Sequence, residues 1–420
     1  MKILTTSDWH IGNLFHGNDR LPEHKHFLNW LLAQIEERQP DALLVAGDVF
    51  DVSNPSAAAQ SAYYAFLADA TRACPGMQMV LTAGNHDSAG RLEAPRALLA
   101  RHRVEVRGTL RRSWVQRDGE AGWEIDYDDL MIPVKSKDGE AAVILAVPYL
   151  RNDTVQDADY SAGVNRILGE LTRRAREKYP DVPLVMMAHM YASGAEIAQK
   201  DASEKIVIGG QEEVNMEGWT DHPDYLVCGH IHKRQPVRDT DWARYTGSVL
   251  PMSFAETDYR HGVDLVTVSP GRKPGVEFLE YAPQHKLCML PAGPEAMTSG
   301  ELQKLIRQEL ADRGPDGQLD DHFVYLALKV KMEDARSDER GKLESLVSEK
   351  NAVLCKIEKV VPLAEARTLA GDQTLKSIED IISRDPLDTL RETFAVRHNK
   401  EMSPRQEQML RDLLASVRQE

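Results

Sequence analysis

Five short polar motifs, each set directly after an apolar run, constrain this chain more than any other feature. They are Asp8-x-His10, Gly47-Asp48-x-x-Asp51, Gly84-Asn85-His86-Asp87, His189, and Gly229-His230-x-His232. The runs ahead of them, at residues 3–5, 42–46, 79–82, 183–187 and 225–228, are short and rich in apolar or β-branched residues, which marks buried strands. Helical patterns lie between, over residues 23–38, 56–72 and 165–178, with Asn54-Pro55 read as the start of the second. This alternation predicts an α/β fold of layered sheets. In such sheets the ligand crevice lies beyond the carboxyl ends of the strands, so residues distant in sequence can converge there. Glycine ahead of Asp48, Asn85 and His230 is expected to let the backbone turn sharply and aim the next side chain inward.

The residue types agree with one another. Imidazole and carboxylate together suit manganese, iron or zinc, the Asn85 amide oxygen is a hard neutral ligand, and one aspartate can bridge two ions. A lone Asp-x-His pair is common in surface turns, whereas five such turns with matching chemistry are not. His16, His24, His26, His222, His261 and His285 lack a motif partner and are read as structural or solvated.

The 420 residues allow two or three domains. Residues 104–147 suggest hairpins, with strand-like stretches at 123–127 and 142–147. Further strands are expected at 245–249, 262–268 and 276–281, closing a first domain at 1–284. Residues 285–362 read as a small β-α-β-α-β module, with strands at 287–290, 322–332 and 353–361 and helices at 299–313 and 337–349. Residues 363–420 are charged and helix-prone, and the apolar stripes Leu387, Leu390, Phe394 and Met409, Leu410, Leu413, Leu414 need something to cover them.

A formal charge of −15 excludes general polyanion affinity, so nucleic-acid binding would need a basic patch, bound metal or a partner. Arg101, Arg103, Arg107, Arg111 and Arg112 form one local basic cluster, readable as a phosphate track or a solvated face; Arg173, Arg174, Arg176 and Lys178 read as an exposed charged helix face. The four cysteines show no C-x-x-C spacing, which argues against a thiolate zinc site and suits reduced thiols. No apolar run approaches roughly 18 residues, so a soluble, cytoplasmic protein is expected.

The ordered set D-x-H, G-D-x-x-D, G-N-H-D, H and G-H-x-H resembles the calcineurin-like metallophosphoesterases. Ser7-Asp8-Trp9-His10-Ile11-Gly12, Gly47-Asp48-Val49-Phe50-Asp51, Tyr245-Thr246-Gly247-Ser248 and Pro251-Met252-Ser253-Phe254 are similar to the branch of that family that serves bacterial DNA processing beside a coiled-coil ATPase. The resemblance implies a β-sandwich flanked by helices, a small DNA-facing α/β cap and a helical tail that docks the ATPase. It implies two divalent ions, manganese foremost, one held by Asp8, His10, Asp48 and His232, the other by Asp48, Asn85, His189 and His230. His86 would then be the catalytic residue, donating a proton to the leaving sugar oxygen or stabilising its charge, with Asp51 and Asp87 in supporting positions and Asp87 a candidate to orient the His86 ring. The implied activity is exonuclease and endonuclease cleavage of DNA ends and hairpins, by a homodimer within a heterotetramer. No DNA-contacting residue is assigned. The ligand motifs alone also allow a small-molecule phosphodiesterase or phosphatase.

Overall fold

The computed structural model describes residues 1–117, 120–196, 213–217, 219, 221–331 and 337–360. The tail at 363–420, with its apolar stripes, lies outside the described residues. Residues 1–360 form one compact unit.

Strand Ala42–Ala46 is buried at every position, because it has a covered face on each side. Ala42, Leu44 and Ala46 point into a core shared with Ala142, Ile144, Val185, Met187 and Val227. Leu43 and Val45 point the other way, against Phe27, Leu31, Tyr63 and Phe66 of helices Leu21–Arg38 and Ala57–Ala73. Two six-stranded sheets are thereby pressed face to face. The first runs Gly275–Tyr281, His261–Thr267, Lys2–Thr6, Ala42–Ala46, Gln78–Thr82, Val104–Arg107; the last four are mutually parallel. The second runs Gln235–Pro236, Ala243–Tyr245, Tyr225–Gly229, Leu184–His189, Ala141–Ala146, Met131–Lys135, with a parallel centre. Helix Tyr160–Lys178 covers its outer face through Val164, Ile167, Leu168 and Leu171.

Several sequence expectations shift. Ser56 caps the second helix, its side chain accepting the Ala59 N–H at 3.1 Å, so the Asn54-Pro55 start is two residues early. Val104–Arg107 is a parallel member of the first sheet; the hairpins of this region are Arg112–Arg117 with Glu120–Ile125, and Met131–Lys135 with Ala141–Ala146. The strand expected over 245–249 stops at Tyr245, because Ser248 N donates to His232 O at 3.0 Å and Val249 N to Asp8 O at 3.4 Å, pulling that segment across the strand ends.

Three parallel strands, Lys286–Leu290, Val324–Lys331 and Ala352–Val360, carry helices Ser299–Glu309 and Ser337–Ser348. Thr298 and Glu301 form a reciprocal capping box at the start of the first helix. That helix ends before the expected 313 because Asn351 N donates to Ala311 O at 2.9 Å and Arg313 N to Glu349 O at 3.1 Å, lacing the segment to the next turn instead. The module has its own core around Leu302, Ile306, Leu326, Leu328 and Leu343. A second cluster, Phe15, Phe254, Tyr325 and Ala327, joins it to the sandwich.

At that junction Arg20 is fully buried. Its Nε and Nη2 donate to the two Glu23 carboxylate oxygens at 2.9 Å each, its Nη1 to Pro251 O at 2.5 Å, and the Tyr325 hydroxyl donates to Glu23 Oε1 at 3.0 Å. Removing one partner of a buried pair leaves the other charge unpaired, which costs more than the pair itself contributes. Arg20→Met should therefore destabilise the protein by about 3–5 kcal/mol, read as a lower urea midpoint, and the double variant Arg20→Met, Glu23→Gln should recover part of the loss. An unchanged midpoint for Arg20→Met would show that the pair does not hold the junction.

Candidate metal centre

All five motifs lie at carboxyl ends of parallel strands, three in the first sheet and two in the second. Because the sheets are stacked, their strand ends open on one shared crevice. The loops there are held in an uncommon backbone state: Asp8, His10, Asp48 and His230 have φ of 50°, 47°, 49° and 97°. Such conformations persist where surrounding contacts over-determine them. Here Asp8 N donates to Gly47 O at 3.1 Å, His10 N to Asp48 O at 3.0 Å, and His230 N to Asp8 Oδ1 at 3.0 Å.

The motif glycines act in two ways. Gly47 has φ +86° and takes a turn that other residues resist. Gly84 and Gly229 are not left-handed; a methyl group at Gly84 would overlap the Asp48 carboxylate, and one at Gly229 would overlap Ala46 O and the His189 ring. At those two positions glycine provides room, where the sequence suggested a turn.

The structure brings Asp8, His10, Asp48, Asn85, His189, His230 and His232 together. Ligand atoms of Asp8, His10 and His232 lie within 4.8 Å of one another, as do those of Asp8, Asp48 and His189, and of His10, Asp48 and His86. Asp48 Oδ2 stands 3.7 Å from His10 Nε2 and 3.3 Å from His189 Nε2, and Asn85 Oδ1 is 2.9 Å from His189 Nε2 and 3.0 Å from His230 Nδ1. Asp48 is thus central to the group, with its other oxygen accepting the His86 backbone N–H at 2.8 Å.

The chemistry of this donor set fits divalent metal. Among the described residues neither ring nitrogen of buried His10 makes a well-formed hydrogen bond; only carboxylate oxygens stand near them, Asp51 at 3.4 Å from Nδ1 and Asp48 at 3.7 Å from Nε2, an arrangement that is costly unless something else meets those nitrogens. His189 donates from Nδ1 to Ala46 O at 2.9 Å, so its Nε2 faces the oxygens of Asp48 and Asn85. Without a cation those oxygens need a second proton on the ring: burial alone would lower the His189 pKa, but the Asp48 carboxylate raises it to about 9. Burial opposes ionisation of Asp48 as well, yet His189, His10 and His86 more than offset it and hold the carboxyl well below its usual range. His230, lowered by burial and by the charge on neighbouring His189, falls to about 3.

Three supporting positions differ from the sequence reading or were absent from it. Asp87 does not orient His86. Its carboxylate accepts the N–H groups of Val49, Phe50 and Gly84 at 3.1, 2.9 and 2.9 Å, splinting two motif loops, while burial and the nearby Asp48 push its pKa up to about 6. The His86 ring is instead held by Asp51, whose backbone O accepts from Nδ1 at 2.8 Å. The Asp51 carboxylate lies 3.4 Å from His10 Nδ1 and is steadied by Asn13 at 3.1 Å. Glu256, which no motif marks, lies 3.0 Å from His232 Nδ1.

The model of the calcineurin-like phosphoesterase family matches residues 1–234, and the chain belongs to that family. The SbcD component of the nuclease SbcCD from Rhodobacter capsulatus is 37% identical over 79% of this chain and 80% of its own length. Its counterpart from Escherichia coli K12 is 28% identical over 91% and 92%, and that from Bacillus subtilis 29% over 65% and 68%. Within the phosphoesterases, the chain is of the SbcD type.

Because a methyl group at residue 84 has nowhere to go, Gly84→Ala should destabilise the protein by about 1–3 kcal/mol and expel Asp48 from its place. Urea unfolding and metal uptake measured together test this; a variant equal to wild type in both would mean that the loops yield freely.

Proposed function

We propose that this chain is the metal-dependent nuclease component of an assembly with an SbcC-type coiled-coil ATPase, hydrolysing phosphodiester bonds at DNA ends and hairpins in the cytoplasm. The observation that carries the reading is the meeting of carboxylate, amide and imidazole donors from five separate loops around Asp48. Asp8, His10, Asp48 and His232 would hold one divalent ion, and Asp48, Asn85, His189 and His230 the other, with manganese suited to the mixed oxygen and nitrogen set. When bound, such a pair polarises the phosphate and lowers the pKa of water at the site.

His86 supplies the proton. A carbonyl oxygen can only accept, so the bond to Asp51 O fixes the hydrogen on Nδ1 and leaves Nε2 for exchange with substrate. The ring stands edge-on to His10, centroids 4.8 Å apart and planes at 90°, next to the ligand group without replacing any member of it. In its imidazolium form it gives the Nε2 proton to the departing sugar oxygen.

DNA affinity is a separate matter. Arg107 pairs with Glu105 at 2.7 Å, Arg111 with Glu93 at 2.7 Å, and Arg112 donates to Thr154 O at 2.8 Å, so this part of the basic cluster is engaged by the protein itself. Arg173, Arg174, Arg176 and Lys178 likewise face carboxylates, at 2.5 to 2.8 Å. With a net charge of −15, the chain draws its grip on duplex from the ATPase. Residues 1–284 serve as the nuclease domain, 285–362 as the cap facing DNA, and 363–420 as the ATPase docking segment, in a homodimer within a heterotetramer.

Two experiments test the reading. His86→Ala should keep wild-type manganese content and lose about 10²–10⁴-fold in duplex cleavage, while hydrolysis of bis-p-nitrophenyl phosphate, whose phenolate leaves without a proton, falls far less. Equal losses on both substrates would remove His86 as proton donor. Deleting residues from 385 onward should abolish co-purification with the ATPase and spare hydrolysis of the small diester; an intact complex would rule out the tail as the docking element.

A further inference from the structure

His232 is backed differently from His189 and His86. Nδ1 of His189 and of His86 each face a backbone carbonyl, at 2.9 and 2.8 Å, whereas Nδ1 of His232 lies 3.0 Å from a carboxylate oxygen of Glu256. That carboxylate is 1% exposed and anchored at its other end, where Oε2 accepts the Met252 N–H at 2.7 Å. The short 3-10 turn Phe254–Glu256 that carries it begins at Ser253, whose hydroxyl accepts the Ala255 N–H at 3.0 Å. The same loop is pinned from below, since Arg20 donates to Pro251 O at 2.5 Å. A carboxylate held this firmly has no freedom to follow a moving ring, so the ring must follow it.

We propose that Glu256 is a positioning residue of the metal centre: it fixes the proton of His232 on Nδ1, presents Nε2 to the Asp8 and His10 group, and lends that imidazole negative charge. The ionised carboxylate has only acceptor oxygens, so Nδ1 must be the donor and the lone pair must stand on Nε2. Carboxylates behind a ligating histidine fix its tautomer and ring orientation and raise its basicity. A carbonyl does the first of these and contributes less to the second, because it carries no net charge. The two halves of the donor set are therefore unlike, and the half containing His232 is the more strongly donating. This inference rests on the metal reading of the site given above.

The test uses the full chain as wild type, Glu256→Ala and Glu256→Gln, with manganese alone as the probe. Calorimetric titration should show about 10- to 100-fold weaker manganese binding in Glu256→Ala and a smaller loss in Glu256→Gln, whose amide oxygen still accepts from His232 but carries no charge. Long-range nitrogen-15 NMR of the metal-free protein, with the His232 signals identified from His232→Gln, should place the proton on Nδ1 in wild type and Glu256→Gln and redistribute it in Glu256→Ala. A purely structural role for Glu256 would leave that tautomer unmoved. Wild-type affinity in Glu256→Ala, or an Nε2 proton in the wild type, overturns the proposal. Should Glu256→Ala fail to fold, Glu256→Gln decides, and wild-type affinity there is likewise fatal. A wild-type protein that takes up no manganese would sink the metal reading, while the NMR arm would still judge whether Glu256 sets the tautomer.

Discussion

A carboxylate taken out of water must be met by positive charge or hydrogen-bond donors, and Asp48 is 2% exposed. What meets it comes from both sheets: His10 and the His86 backbone from the first, His189 from the second. The requirement therefore reaches beyond one residue. Satisfying Asp48 demands that the strand ends of two separately wound sheets stay in register with each other. The core between the sheets supplies that rigidity, with Ile3, Leu44, Val185 and Val227 fully buried at their interface. Apolar packing thus fixes the distance across which the polar groups meet, and the polar groups fix which strand ends must be neighbours.

The left-handed backbone at Asp8, His10, Asp48 and His230 belongs to the same constraint. Each such residue costs on the order of 1–3 kcal/mol, and aspartate and histidine tolerate the region better than most residues. Cross-loop hydrogen bonds from Asp8 N, His10 N and His230 N retain this geometry, and the Asp87 carboxylate, gathering three N–H groups, ties the second motif loop to the third. The loops are thus tied to one another by the protein's own hydrogen bonds, and ties of this kind lower the ordering cost of binding a ligand.

The buried strands, the helices and the convergence of seven motif residues on one crevice were legible in the sequence because each carries its signature in residue type: apolar runs for buried strands, and imidazole, carboxylate or amide just past them for the crevice. What stayed hidden was supported by groups with no such signature. The carbonyls of Ala46 and Asp51 hold His189 and His86, and any residue offers a carbonyl. Glu256 reaches His232 across 24 positions, too far for a spacing argument. Asp87 departs from expectation for the converse reason: adjacency to His86 in the chain suggests contact, but successive side chains in a tight turn diverge, and its carboxylate faces the backbone of residues 49, 50 and 84. The ends of elements shift where tertiary bonds compete, as at residues 311–313 and 246–249.

The buried Arg20 links this geometry to the small module. Its guanidinium is shared between Glu23, whose other donor is the Tyr325 hydroxyl of the module, and Pro251 O, one residue before the Met252 N–H that anchors Glu256. A displacement of Tyr325 would change how Glu23 holds Arg20, and Arg20 cannot release Pro251 without leaving a buried cation short of an acceptor. The loop behind His232 is therefore stiff for a reason that lies outside the sandwich. Since the tightest ligand geometry is obtained when the supporting groups are themselves immobile, the module contributes to the centre even where its own side chains do not enter the pocket.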